Sequence, residues 1–325
     1  MISYYSPLTY IIPPAEDDWL LKTILHKRMD VSRKLLSRLK QTEQGITLNG
    51  ERVYISVRVK AGDTVQIRME TEESEDILPQ PIPFDILYED EHLLVINKAA
   101  GIIVHPTHGH YTDTLANGVV YYWKQKQERF RFRPVHRLDQ ETSGVIVIAK
   151  NPYSHQHISE QMIAGTVDKR YAAFVHGVPV EAKGDIDGPI DRDPDEPHRR
   201  IVTPDGYPSL TRYEVKKTYA HGSRVELKLE SGRTHQIRVH MTSIGCPLIG
   251  DGMYRHELYG FSEPTPAQAE RLQVVSELDA AIPRQALHAV RLAFKHPVLL
   301  QDMIFEAPLP PDMAALEDKL QHALA

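Results

Sequence analysis

Apolar residues recur along the chain with two different periods, and the change of period marks its elements. Ser32 precedes Leu35, Leu36 and Leu39. At about 100° per residue these leucines share one side of a helix, and Ser32 suits its N-cap. Arg33, Lys34, Arg38 and Lys40 fall on the rest of the circumference. In the following GITLNGERV, Ile46 and Leu48 alternate with polar residues, and Asn49-Gly50 suits a tight hairpin. Val57, Val59, Val65 and Ile67 predict further short strands, with Ala61-Gly62-Asp63 as a turn. A new folded region starts near Ile86. Strands are predicted at 93–98 and, after an Ala99-Ala100-Gly101 turn, at 102–106. More follow at 144–150, 171–177, 211–219 and 224–230, with helices at 112–124, 153–164, 234–244 and 265–279. Short polar turns join most strands and no regular βαβ alternation is visible. The expected class is therefore α+β, a mixed, largely antiparallel sheet with flanking helices.

Composition adds a division. Hydrophobic residues make up 41% and charged residues 25%, the balance of a soluble globular protein. No apolar run is long enough to span a membrane, and the N-terminus lacks the basic start and apolar core of a secretory signal. One cysteine, Cys246, leaves no disulfide framework and fits a reducing, cytoplasmic location. The net charge of −6 hides a segregation. Residues 20–70 carry eleven Lys/Arg against five Asp/Glu, whereas 71–91 carry eight Asp/Glu and no Lys/Arg. The stretch TEESEDILPQPIPF is acidic, then proline-rich, as in an exposed linker. The expected organisation is a basic module at 12–70, a linker at 71–85 and a larger domain at 86–310.

Cofactor and metal motifs are weak or missing. No GxxxxGK[ST] or strand-linked GxGxxG supports a nucleotide cofactor. His105, His108 and His110 cluster, as do His155 and His157, but neither HExxH nor a matched carboxylate accompanies them, so no metal site is expected. A Cys246 thiolate could attack C6 of a pyrimidine, yet no activating partner or methyl-donor motif lies nearby; a small buried cysteine is the simpler reading. Asp139 stands in PVHRLDQETSGVIVIAKN. A basic, aromatic-laced approach (Arg129, Phe130, Arg131, Phe132, Arg133) precedes it, and Thr142-Ser143-Gly144 give a tight entry into the next strand. Taken alone, Asp139 reads as an ordinary turn aspartate.

Several separated segments change that weight. HRLDQETSG, preceded by YEDEHLLVINKAAGIIVHP and followed by KRYAAFVHG, LESGRTHQIRVHMTSIGCPLIGD and LHAVRLAFKHP, resembles the RluA-type RNA pseudouridine synthases over roughly residues 86–310. SRKLLSRLKQTEQGITLNGERV with VKAGDTVQI resembles the RNA-binding module of ribosomal protein S-four. One departure is Ala99, where many members have proline after the lysine. The resemblance implies isomerisation of uridine in RNA without a cofactor, with Asp139 as the essential carboxylate. It implies that Arg238 pairs with Asp139 and can hold it bidentately, and that Tyr171 stacks on the extracted uracil. Leu229 would form a pocket wall, and Arg137 would fill the space that the flipped base vacates. Lys98, Arg129, Arg131 and Arg133 would meet phosphates, as would Arg33, Lys34 and Arg38 on the module. Ribosomal RNA is the favoured partner by analogy with the module, with transfer RNA possible and a monomer as the default. Two other readings stay open at this point: a catalytically silent RNA clamp, and a glycosylase that releases free uracil. Residues 253–283 receive no functional role.

Overall fold

The computed structural model describes residues 3–255, 257–261 and 263–322. The N-terminal module comprises β1 (Leu8–Ile11), α1 (Leu21–Lys27), α2 (Arg33–Gln41), β2 (Ile46–Leu48), β3 (Glu51–Arg52) and β4 (Thr64–Ile67). Its four strands form one sheet in the order β1-β4-β2-β3. Ser32 caps α2 by accepting the Leu35 amide at 3.2 Å. Leu35, Leu36 and Leu39 are buried against α1, Val65 and Ile67, while Arg33, Lys34, Arg38 and Lys40 face outward. Asn49 and Gly50 both take positive φ, 52° and 86°, as the two-residue hairpin requires.

Three expectations for this end of the chain are corrected. The module reaches back beyond residue 12, because β1 pairs antiparallel with β4. Val57 and Val59 do not form strands; their carbonyl and amide bond to Leu21 and Trp19, binding this loop to the entry of α1. The acidic segment is a strap, not an exposed linker. Ser74 and Ile77 are buried, Ser74 Oγ accepts the Phe132 amide at 2.8 Å, and Glu72 pairs with both Arg38 and Arg133. One carboxylate thus ties helix α2 to the segment leading to Asp139.

The larger domain continues with β5 (Asp85–Glu89), β6 (Leu93–Lys98), α3 (Leu115–Gln125), β7 (Ser143–Ala149), α4 (Pro152–Ile163), β8 (Asp168–His176), β9 (Lys183–Asp187), β10 (Ile190–Arg192), β11 (Arg200–Val202), β12 (Leu210–Thr218) and β13 (Gly222–Leu229). Then come α5 (Gln236–Ser243), α6 (Pro266–Asp279), β14 (Leu287–Lys295), β15 (Asp302–Glu306) and α7 (Pro311–His322), the last lying beyond the expected boundary at 310. The main sheet runs β5-β6-β7-β14-β8-β13-β12-β9, with β15 against β14. Only β7 and β14 pair in parallel, so the sheet is mixed and largely antiparallel, as expected. Segment 102–106 is not a strand. Its backbone instead anchors the start of α3: the Ile103 carbonyl accepts the Leu115 amide at 2.8 Å and the Val104 carbonyl that of Ala116 at 3.1 Å.

Both faces of the sheet are covered, which is why β7 is buried at every position. On one face Leu94, Ile96, Ile146, Ile148, Ala173, Val225 and Leu227 pack with Leu115, Val119 and Trp123 of α3 and Ile237 of α5. On the other, Leu93, Val95, Val145 and Val147 meet Ile158 of α4, Phe294 and Phe305. This period of two places alternate residues of β6 and β7 in different cores. Gly144 adopts φ 114°, and a Cβ there would meet the Ala289 backbone at 2.2 Å, so β7 can approach β14 only with glycine at this position.

Candidate active site

Asp139 lies in the turn entering β7, where the Thr142 amide donates to its carbonyl at 3.0 Å. Two buried cations grip the residues after it. Lys98 Nζ donates to the carbonyls of Ala99 (2.8 Å), Ile102 (2.8 Å) and Gln140 (2.9 Å). Arg284 Nη1 donates to the Glu141 carbonyl at 3.0 Å, and its fork is held by Asp312 at the start of α7. Burial pulls the Lys98 ammonium down to about 7, against the charges of Glu141 and Asp139. Three carbonyl acceptors nevertheless match the three N–H bonds that only the ammonium form has. Lys98 is 1% exposed, so the expected phosphate contact is corrected: it braces the turn that carries Asp139. Ser143 Oγ meets His288 Nδ1 at 2.8 Å, fixing the first residue of β7 to the second residue of β14.

Arg238 rises from α5 beneath the carboxylate. Its Nη1 stands 3.6 Å from Asp139 Oδ2. The bidentate grip expected on Asp139 goes to Asp251 instead, with Nε donating to Oδ2 at 2.6 Å and Nη2 to Oδ1 at 2.8 Å. Burial works against the arginine's charge, and the Asp251 bonds outweigh it, leaving Arg238 cationic at any ordinary pH. Asp251 also accepts the amides of Met253 and Tyr254, and the Tyr254 ring lies under the guanidinium at 4.9 Å.

The ordered turn into α5 comes from Gln236. Its Oε1 accepts from the Arg233 amide and Ser231 hydroxyl, and its Nε2 donates to the Leu210 carbonyl. This turn leaves His235 in the left-handed region, φ 59°, with Nε2 3.9 Å from Asp139 Oδ2. His235 lay inside a segment already singled out, but its adjacency to Asp139 has no signal in spacing.

Tyr171 projects from β8 into the same core as Leu229. Burial raises its phenol far above the usual range, and the charge of Asp139 adds to this. The hydroxyl therefore keeps its proton and acts as a donor or an aromatic surface, not as a phenolate base. Arg137, two residues before Asp139, is exposed and has no ion-pair partner among the described residues. Arg131 is also exposed, whereas Arg129 pairs with Glu73. Arg133 pairs with Glu72 and is only 11% exposed, which corrects its expected role at phosphate. Cys246 is buried, and burial raises its thiol. Among the described residues, no helix is long and apolar enough to cross a membrane.

Asp139 is thus a half-buried carboxylate beside Arg238, in a turn entering a central strand of a mixed sheet, with the buried Tyr171 close enough to feel its charge. The RNA pseudouridylate synthase family pattern matches residues 92–243. An uncharacterized RNA pseudouridine synthase of Bacillus subtilis (strain 168), YjbO, is 39% identical over 289 residues, covering 89% of this chain and 95% of that one. The ribosomal large subunit pseudouridine synthase D of Nitrosomonas europaea is 39% identical over 261 residues, 80% of this chain and 70% of that one. The solved structure of human RNA pseudouridylate synthase domain containing 4 aligns with a TM-score of 0.56 at 27% identity, covering 73% of this chain and 92% of that one. The chain belongs to the RNA pseudouridine synthases of the RluA type. It is an enzyme that forms pseudouridine in RNA.

Proposed function

We propose that this enzyme isomerises uridines of large-subunit ribosomal RNA, with Asp139 as the attacking carboxylate. The observation that carries the reading is the placement of Asp139: half-buried, 3.6 Å from a guanidinium aimed by another carboxylate, and close enough to Tyr171 for its charge to be felt there. The relatives named for the large ribosomal subunit support the substrate.

The target uridine leaves its stack and its uracil lies against Tyr171 and Leu229. Asp139 engages ribose C1′ or uracil C6, or removes a ribose proton, and the N1–C1′ bond breaks. The uracil turns, C5 bonds to C1′, C5 gives up its proton and N1 takes one. Nothing is oxidised or reduced, and no atoms are gained. Arg137 occupies the vacated space in the RNA. The N-terminal module acts as an RNA-binding domain of the ribosomal-protein-S-four kind, presenting Arg33 and Lys34 to phosphates, with Arg38 shared between RNA and Glu72.

Tritium release from RNA carrying [5-³H]uridine tests this, using unmodified large-subunit transcript and transfer RNA with wild type and Asp139→Ala. Release from the ribosomal transcript by wild type alone is the expected result. Release that survives in Asp139→Ala removes the aspartate from its role, and release from transfer RNA alone reassigns the substrate.

A further inference from the structure

His235 faces the same oxygen of Asp139 as Arg238 does, from the N-cap of α5, three residues before Arg238. Its hydrogen-bonding state can be worked out from its other side. The Tyr254 hydroxyl accepts the Arg200 amide at 2.7 Å and lies 3.0 Å from His235 Nδ1. That hydroxyl must place its own hydrogen somewhere, and among the described residues the only remaining partner is Nδ1. Nδ1 is therefore an acceptor. Burial lowers the imidazole's affinity for a proton, with Arg238 adding to this and Asp139 opposing it. A neutral ring with an accepting Nδ1 carries its hydrogen on Nε2, the nitrogen turned toward Asp139.

The backbone points the same way. His235 takes φ 59° and ψ 16°, a conformation uncommon for a residue with a Cβ and held here by the Gln236 turn. The ring also stands edge-on to Tyr254, with centroids 5.7 Å apart. Orientation is thus fixed before any RNA arrives.

We propose that His235 is a positioning residue for Asp139: its Nε2–H, locked by Tyr254 and the Arg200 amide, holds Oδ2 so that Oδ1 addresses the substrate. Two donors converge on Oδ2, at 3.6 Å from Arg238 and 3.9 Å from His235. Both gaps exceed a hydrogen bond and shorten when the bound uridine excludes water. Oδ1 has no side-chain donor among the described residues and remains the free, reactive oxygen.

This rests on Asp139 being the reacting carboxylate, so the experiment includes it. Full-length wild type, Asp139→Ala, His235→Gly, His235→Asn and His235→Gln are compared in single-turnover tritium release, on the RNA from which wild type releases label. Glycine accepts the left-handed backbone without strain, and asparagine tolerates it. Glutamine places an N–H where Nε2 stands, and asparagine does not reach that far. The expected result is a rate about 10- to 100-fold lower for the glycine and asparagine variants, with the half-saturating RNA concentration unchanged, and partial recovery in the glutamine variant. Side-chain ¹⁵N shifts, assigned by loss of one signal in His235→Gln, should show the hydrogen on Nε2. A wild-type rate in His235→Gly overturns the proposal, as does a glutamine variant no better than glycine, or a hydrogen found on Nδ1. Turnover by Asp139→Ala overturns the reading beneath it; an inactive Asp139→Ala beside a fully active His235→Gly overturns only the role of His235.

Discussion

Arg238 gives both arms of its guanidinium fork to Asp251 and reaches Asp139 with the remaining nitrogen, at 3.6 Å. Asp251 is fully buried at its side chain, so it serves as the fixed end of the arrangement. Asp139 keeps a cationic neighbour on Oδ2 without being clamped by it, and its Oδ1 has no side-chain donor among the described residues.

Replacing that fixed end should undo both effects. Asp251→Asn leaves Arg238 charged and buried without a full counter-charge, and destabilises the protein by about 3 kcal/mol. The guanidinium then turns to Asp139 and ties up the carboxylate. Urea denaturation and single-turnover rates on one RNA should fall together; an unchanged rate in a destabilised variant would separate the arginine's aim from catalysis.

Lys98 and the α2 lysine and arginine should respond differently to salt. Lys98→Met leaves the Ala99 and Ile102 carbonyls without their donor and should cost about 2–4 kcal/mol of stability. It should leave the slope of log affinity against log salt unaltered, because Lys98 neutralises no phosphate. Arg33→Ala with Lys34→Ala should leave stability within about 0.5 kcal/mol and flatten that slope by about two units. RNA binding titrated across a range of salt distinguishes the two.

Glu72 holds Arg38 and Arg133 at once, so Glu72→Gln should release cationic charge onto the surface beside the module. RNA binding should become tighter at low salt, with a slope steeper by about one unit. The strap should also become easier to cleave by limited proteolysis between 71 and 84. A resistant strap would mean that Ser74 and Ile77 alone hold it.

Acid should weaken the join between β7 and β14. Burial pushes His288 from 6.5 down to about 4, with the Arg284 charge adding to this and the Ala307 carbonyl opposing it. The unfolded chain takes up this proton first on acidification, so between about pH 6.5 and 4 it binds more protons than the native state. The stability from His288 is complete above that window and is lost as pH falls through it. Its share of the loss between about pH 7.5 and 5 is roughly 2 kcal/mol. Urea midpoints at the two pH values should therefore converge in His288→Gln by that amount; equal losses in both proteins would mean that other buried histidines carry the effect.

Periodic elements were legible in the sequence because their signals are local. The α2 leucines, the Asn49-Gly50 hairpin, the helix cap at Ser32 and the strands around 93–98 and 144–150 all appear where period and turn chemistry place them. What failed was decided by distant partners. Segment 102–106 has a strand's composition, but its carbonyls go to α3 and Lys98. The acidic strap has a linker's composition, but Glu72 finds two arginines, one on each side of it. In the site, Asp139, Tyr171, Arg238 and Leu229 were readable through motifs. The roles of Asp251, Arg284 and His235 were not, because no spacing rule says that Arg238 will turn its fork to Asp251, that His235 will face a carboxylate 96 positions before it, or that Arg284 will hold a carbonyl 143 positions before it.

The order of strands also sets a schedule for synthesis. Asp139 stands at the entrance to β7 and Tyr171 on β8, and in the sheet these neighbours in sequence are separated by β14, which ends at Lys295. Until that strand has left the ribosome, β5-β6-β7 and β8-β13-β12-β9 are two unjoined ribbons, each with an open edge. The nascent chain therefore carries Asp139, Tyr171 and Arg238 before β14 exists to join the two ribbons, and Asp139 meets the other two only after that strand is made.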